Sequence, residues 1–337
     1  MSSCFLVSRD VQVTDNSRPP ACIFVCGVGR SGTSLLQSML CAHPQVACLP
    51  ETSAVRRLLV TRQLENAFRQ GGTELAARLL ENDQRLRFLD IDWCEFINRI
   101  DVAEDSQPAK AWYVELLREE LTAAKARYVL DKDPRLVEHI RWLHREFPQS
   151  HVVHVIRDPR DVLASKLAAD WSKNRHWLKH VVANQVQFRA GCRHGSELPK
   201  AQYHEVVYEH LLRDPATELG RLTRRLDIPY DDSMLSFGNA AKKLVRPDEM
   251  SWKKETLGPL MTDNTQKWET KLNSLQIFVT NLACREAILR AGQPIDNVKI
   301  PIAARVLGWL LAMAVSVLGF IYTVARRRRP LPTVADR

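Results

Sequence analysis

From Cys22 to Leu40 the chain reads CIFVCGVGRSGTSLLQSML: an apolar run, a glycine-rich turn, then the start of an amphipathic helix. Residues of these types at this spacing can cradle a phosphate. Gly27, Gly29 and Gly32 let backbone N–H groups close on an anion, while Ser31, Thr33 and Ser34 add hydroxyl donors at the positive start of a helix. Arg30 adds a fixed charge. Gly27, Gly32 and Ser34 satisfy the pattern G-x-x-x-x-G-K-[ST], but Thr33 stands where that pattern has lysine. The turn is therefore expected to bind a phosphate-like group through its backbone and Arg30, without the lysine and metal geometry of a nucleoside-triphosphate hydrolase. A second cluster follows the apolar run HVVHVI: Arg157, Asp158, Pro159, Arg160 and Asp161, with Ser165 eight positions beyond Arg157 (165 minus 157). Arg157 and Ser165 could grip another phosphate, although Asp158-Pro159 also reads as an ordinary helix start. Together the two turns point to a nucleotide with phosphates at both ends of its ribose.

Such residues must be held by a scaffold, and the patterning supplies one. CIFVCG, YVLDKDP and HVVHVI read as strands ending in polar turns, and QYHEVVYEHLLRDP is a fourth candidate. Between them, 51–70, 74–89 and 110–128 place apolar residues every three to four positions, as helices do. Alternating strands and helices imply crossover connections: an α/β fold, a P-loop-like, mainly parallel sheet flanked by helices on both faces. Ligands then sit beyond the carboxyl ends of the strands, where the turns around Arg30, Lys132 and Arg157 converge. The final element differs. VLGWLLAMAVSVLGFIYTVA, 306–325, is uncharged and of membrane-spanning length, with Trp309 and Tyr322 near its ends and Arg326 to Arg329 directly after it. The expected organisation is a polar leader (1–20), a catalytic domain (21–298), a C-terminal transmembrane helix (306–325) and a basic tail (326–337).

The formal charge of +9 suits anionic ligands or an anionic membrane surface. Nucleic acid is not an expected partner, because no alternation of aromatic and basic residues appears. The eight cysteines show no C-x-x-C pair and no zinc-ligand spacing, so they read as isolated thiols, with Cys22 and Cys26 on one side of the first strand. With no N-x-[ST] acceptor and no signal-like apolar core at the start, the catalytic domain is expected in the cytosol. A basic C-terminal flank prefers the cytoplasm, which would put the catalytic domain across the membrane with no signal to carry it there; a tail anchor with the enzyme facing the cytosol explains the missing signal but needs a short basic tail to cross, and a shallow or re-entrant insertion would avoid that cost.

GVGRSGTS with RDPRDVLAS resembles the 5′-phosphosulfate loop and 3′-phosphate motif of the sulfotransferases that use 3′-phosphoadenosine-5′-phosphosulfate (PAPS). The likeness is closest to the tyrosylprotein sulfotransferase branch and its bacterial relatives, because His43-Pro44, Glu51-Thr52, Lys132-Asp133-Pro134 and Tyr208-Glu209-x-Leu211 follow in that branch's order, within a span of about 23–292. It implies sulfuryl transfer from PAPS to an acceptor hydroxyl, leaving adenosine 3′,5′-bisphosphate and needing no metal. Glu51 would be the general base. Arg30 and Lys132 would stabilise the leaving phosphate, and Arg157 and Ser165 would hold the 3′-phosphate. Tyr208 would position nucleotide or acceptor, and Trp252, Lys267 and Trp268 lie in a segment that members fold over the nucleotide. Departures are Gly29 in place of a proline, Ser34 in place of a threonine, and Gln266 where a serine precedes Lys267-Trp268. His43 is expected to end a helix and support the site. The acceptor class is open among protein tyrosine, carbohydrate and lipid, as is the oligomeric state, and the lipid bilayer is the other expected partner. The competing readings are a P-loop nucleotide kinase or ATPase and a non-catalytic nucleotide-binding membrane scaffold.

Overall fold

Five parallel strands form one sheet in the order β2-β3-β1-β4-β5: β1 Cys22–Gly27, β2 Val46–Cys48, β3 Tyr128–Lys132, β4 His151–Ile156 and β5 Tyr203–Val207. The computed structural model describes residues 19–20, 22–100, 107–172, 174–246, 249, 257–258, 260–295 and 297–328, the side chains of 327 and 328 excepted. Most of the expected leader, Trp252 and residues 329–337 of the tail lie outside the described residues. All six residues of β1 are buried, as a parallel sheet covered on both faces requires. Its alternation splits two cores: Cys22, Phe24 and Cys26 face one, Ile23 and Val25 the other. The expected strands all form. β2 is an addition, a three-residue edge strand after His43-Pro44 that is too short to carry a period of its own.

Between β2 and β3 the chain is helical, with boundaries that differ from the periodicity. Gln63–Glu81 is one kinked element, in which Gly71 and Gly72 leave helical geometry. Shorter turns and the helix Pro108–Ala124 follow, with Pro108 at a helix start where its missing N–H costs nothing. The C-terminal helix runs Ile302–Arg328, longer at both ends than its uncharged stretch.

This topology gathers one functional position from every strand. Arg30 follows β1, Glu51 follows β2, Lys132 ends β3, Arg157 follows β4 and Tyr208 follows β5. The chain leaves β1 toward β2 and β3, then crosses to β4 on the other side, so the carboxyl end of β1 is the switch point where a ligand crevice forms.

Two ties hold these strand ends. The Asp158 N–H donates to Glu209 Oε1 at 2.9 Å, joining the turn after β4 to that after β5. Burial pushes the Glu209 carboxyl up to about 7. The second tie corrects the reading of eight isolated thiols: Cys41 and Cys48 form a disulfide across seven positions. It joins the end of helix Thr33–Cys41 to the strand that delivers Glu51.

Glu209 has a folded pKa above its ordinary 4.5, so between there and about 7 the native state keeps a proton that the unfolded chain releases. That contribution to stability is complete below the unfolded value and is lost as pH rises through the folded one. Against Glu209→Gln, the wild type should therefore lose thermal stability as pH rises across this window; a constant difference in melting temperature would refute the assignment. Cys48→Ser should cost about 2.5 kcal/mol by the chain-entropy relation for so short a loop, measured by urea unfolding under non-reducing conditions.

Candidate active site

The phosphate-directed turn takes a shape that few residues tolerate. Arg30 and Gly32 both have positive φ, 77° and 96°. A Cβ on Gly32 would also lie 2.2 Å from the Tyr208 ring, so glycine is required twice over. Gly32 caps helix Thr33–Cys41, whose first turn carries no acidic residue, leaving its amides and dipole open to an anion. Ser31 is buried, and its Oγ has no hydrogen-bond partner among the described residues.

The second cluster meets the first directly. Arg30 Nε donates to Ser165 Oγ at 3.0 Å, and Arg157 Nη1 donates to the Arg30 carbonyl at 3.2 Å. Arg157 Nη2 donates to the Asn264 carbonyl at 2.8 Å, its guanidinium lies 4.3 Å from the Tyr208 ring centroid, and its buried Nε lacks a partner. Ser165 thus contacts Arg30 here, and both belong to one constellation. Buried polar atoms without partners cost free energy unless a ligand satisfies them. Ser31 Oγ and Arg157 Nε fit an anion on each side of the turn.

The late segment is folded over this point by its backbone. Asp161 accepts the Gln266 and Trp268 N–H groups at 2.8 and 3.0 Å, and Asn264 Nδ2 donates to Tyr208 Oη at 2.9 Å. Arg160, which sequence alone left without a role, is structural: it pairs with Asp158 at 2.8 Å and stacks 4.0 Å from the Trp268 ring. Lys267 does not line the cavity.

On the β2–β3 side, Lys132 is completely buried, and its Nζ donates to Ser34 Oγ at 3.2 Å and to Glu51 Oε2. It bridges the phosphate turn and the carboxylate. Glu51 is further held by Arg85 at 3.7 Å, and its carbonyl accepts from Arg246 Nη1 at 3.1 Å. His43 supports the scaffold as expected: its Nδ1 accepts the Gln45 N–H at 3.0 Å, and its Nε2 lies 2.8 Å from the Pro229 carbonyl. Asp133 caps the short helix after Lys132 and pairs with Arg56 at 2.9 Å.

A cavity of about 1400 Å3 is lined by Gly29, Arg30, Gly32, Thr33 and Ser34 on one side and by Glu51 and Arg85 on another. The positioning residues Asp161, Asn264, Glu209, Arg85 and Arg246 were not singled out from sequence. Glu209, the acid in Tyr208-Glu209, and Asp161, in the cluster after HVVHVI, lay inside motifs but were given no role; Asn264, Arg85 and Arg246 carried no signal and meet the site through the fold.

A family model described as the sulfotransferase family matches residues 20–232. Protein-tyrosine sulfotransferase 2 of Gallus gallus is 29% identical over 224 residues, covering 63% of this chain and 53% of that protein. Protein-tyrosine sulfotransferase 1 of Danio rerio is 26% identical over 289 residues, covering 81% of this chain and 70% of that protein. Against the first of these, the chain spans about half the relative's length. Among solved structures, the sulfotransferase domain from the Synechococcus PCC 7002 olefin synthase shares the fold, with a TM-score of 0.52 at 17% identity over 89% of this chain and 95% of that one. The match spans 213 of 337 positions (232 minus 20, plus one) and includes the phosphate turn, Glu51, Lys132 and the Arg157 cluster: the chain belongs to the sulfotransferase family.

Proposed function

We propose that this chain moves a sulfuryl group from PAPS to an acceptor hydroxyl, with Glu51 as general base and Arg30 and Lys132 stabilising the leaving phosphate. The observation that carries the reading is the position of Lys132, which touches both Ser34 of the phosphate turn and the Glu51 carboxylate. In-line transfer needs a donor phosphate and a proton acceptor on opposite sides of the group that moves, and this lysine spans the two.

PAPS, when bound, supplies the sulfuryl group and a phosphate that leaves as charge builds on its bridging oxygen. Arg30, Ser31, Gly32, Thr33 and Ser34 would hold the 5′ side through backbone amides, hydroxyls and one guanidinium. Arg157 would hold the 3′-phosphate, with Ser165 beside Arg30 and Tyr208 as a stacking wall. Lys132 carries three donors on a flexible stem, so it can turn from Glu51 to the phosphate while keeping a partner. That rotation releases the carboxylate to accept the hydroxyl proton. Electrostatic positioning of this kind supplies most of the acceleration in group transfers of related chemistry. No step in this scheme calls for a metal ion.

The catalytic unit is placed at 21–298 and its C-terminal helix at a membrane. The Cys41–Cys48 bond favours an oxidising compartment over the cytosol expected from the sequence.

Glu51→Gln should lower the rate of radiolabelled sulfate transfer from PAPS to a membrane extract by about 10²- to 10⁴-fold, with adenosine 3′,5′-bisphosphate affinity kept. Transfer at the wild-type rate would remove Glu51 from the base role. Arg157→Ala should weaken adenosine 3′,5′-bisphosphate by about 2 kcal/mol, roughly 30-fold in Kd. The same substitution should leave adenosine 5′-phosphosulfate, which lacks the 3′-phosphate, little changed. An equal loss for both, read by calorimetry, would place Arg157 elsewhere.

A further inference from the structure

The helix Ile302–Arg328 is long and apolar enough to cross a membrane over Ile302–Arg326, yet it touches the rest of the chain at its start, middle and end. Near its start, Gly308 approaches Phe278 so closely that a Cβ would come within 2.5 Å of that ring, and Trp309 meets the same ring edge-on. At mid-length, Gln185 Nε2 donates to Ser316 Oγ at 3.2 Å. At its end, Tyr322 Oη donates to Glu138 Oε2 at 3.2 Å, and Arg326 pairs with the same carboxylate and lies 3.2 Å from His139 Nε2. Gln187 Nε2 donates to the other oxygen of Glu138 at 3.0 Å, so this acid, its side chain only 4% exposed, is a clamp.

These contacts decide the helix's attitude. Its 27 residues are about 40 Å long, and crossing a bilayer would carry one end roughly 30 Å from the domain. Contacts at both ends hold it alongside instead. Its inner face is closed by small or buried residues, Gly308, Ala312, Val315 and Gly319. Its outer face is not: Ile302, Trp309, Met313 and Phe320 are 58–80% exposed. A continuous apolar stripe of this size is not a water-facing surface. Joined to the arginine run that begins at Arg326, it has the chemistry of a helix lying in the interface of an anionic membrane.

The same helix reaches the site. Tyr322 and Arg326 line the cavity that contains Arg30 and Glu51, together with Arg175 and the half-exposed Trp171. We propose that the C-terminal helix lies along the bilayer surface and forms the acceptor wall of the cavity, so that the acceptor is a hydroxyl on an anionic lipid headgroup, met by Arg326 and Arg175. This rests on the sulfuryl-transfer reading above. The headgroup oxygen bonds to sulfur as the sulfur–oxygen bond to the 5′-phosphate breaks; the bonding pair stays with the phosphate, and the hydroxyl proton passes to Glu51.

The test uses the full chain, radiolabelled PAPS, and phosphatidylcholine vesicles with and without phosphatidylglycerol, whose headgroup carries both a negative charge and free hydroxyls. The chain should bind the anionic vesicles and place label in the lipid phase. Arg326→Gln should lower lipid labelling about 10-fold, the loss of one charge-assisted contact, while adenosine 3′,5′-bisphosphate still binds with wild-type affinity. In sealed membranes, a tag placed after Arg337 should be digested from the same side as the catalytic domain. A tag on the opposite side would overturn the proposal. So would label passing to a soluble acidic tyrosine peptide at equal rates in wild type and Arg326→Gln, with none in lipid. A full chain that binds no adenosine 3′,5′-bisphosphate would bring down the donor reading itself, and this proposal with it.

Discussion

The contact on which the rest of the site depends is the buried ion pair of Lys132 and Glu51, shared with Ser34. A lysine with no solvent exposure carries a desolvation cost that only close partners offset. Here the partners come from three different strand ends, so the turn after β1, the turn after β2 and the last residue of β3 must stay in register. Arg85 and Arg246 add to the restraint on Glu51 from regions far along the chain. The disulfide restrains the same loop from its other end. What looks like redundancy follows from geometry: a carboxylate that follows a three-residue edge strand needs restraint from elsewhere, because so short a strand offers little rigidity of its own.

The opposite side of the turn works by a different constraint. Arg30 and Arg157 are joined through the Arg30 carbonyl, and Arg30 also reaches the Ser165 hydroxyl. Two guanidinium groups in one crevice repel each other, and water screens that repulsion poorly once the late segment covers them. Acids do lie close by, but they are spent on structure. Asp158 pairs with Arg160, Asp161 holds two backbone amides, and the Glu209 carboxyl accepts the Asp158 amide.

The sequence made legible what lies close along the chain. The strand-turn-helix at 22–41 and the cluster at 157–165 each span fewer than about two dozen residues and obey local rules of glycine, capping and alternation. Glu51 and Lys132 were legible through a resemblance in motif order; neither has a local pattern that announces chemistry. The partners of these residues were not legible. Asn264 meets Tyr208, and Asp161 meets Gln266, across long separations; nothing around Asn264 distinguishes it, and the motif around Asp161 does not say that it holds a distant segment. The disulfide was missed for a related reason. Seven positions separate Cys41 from Cys48, and the edge strand that brings them together is too short to be read.

The last element shows how a correct local reading can leave the decisive fact open. Apolar length and a basic flank describe the helix equally well whether it crosses a bilayer or lies against one. What the local reading lacked are the tertiary contacts that this helix makes with the domain at both of its ends. Glu138 receives the end of the helix, and it lies just after the K-D-P motif that resemblance singled out. One short segment thus carries the lysine that meets Glu51 and, six positions on, the acid that fastens the helix (138 minus 132). A shift of the helix would pull on Glu138 and thereby on the turn beginning at Lys132. The C-terminal helix and the turn that begins at Lys132 are thus linked through six residues of backbone.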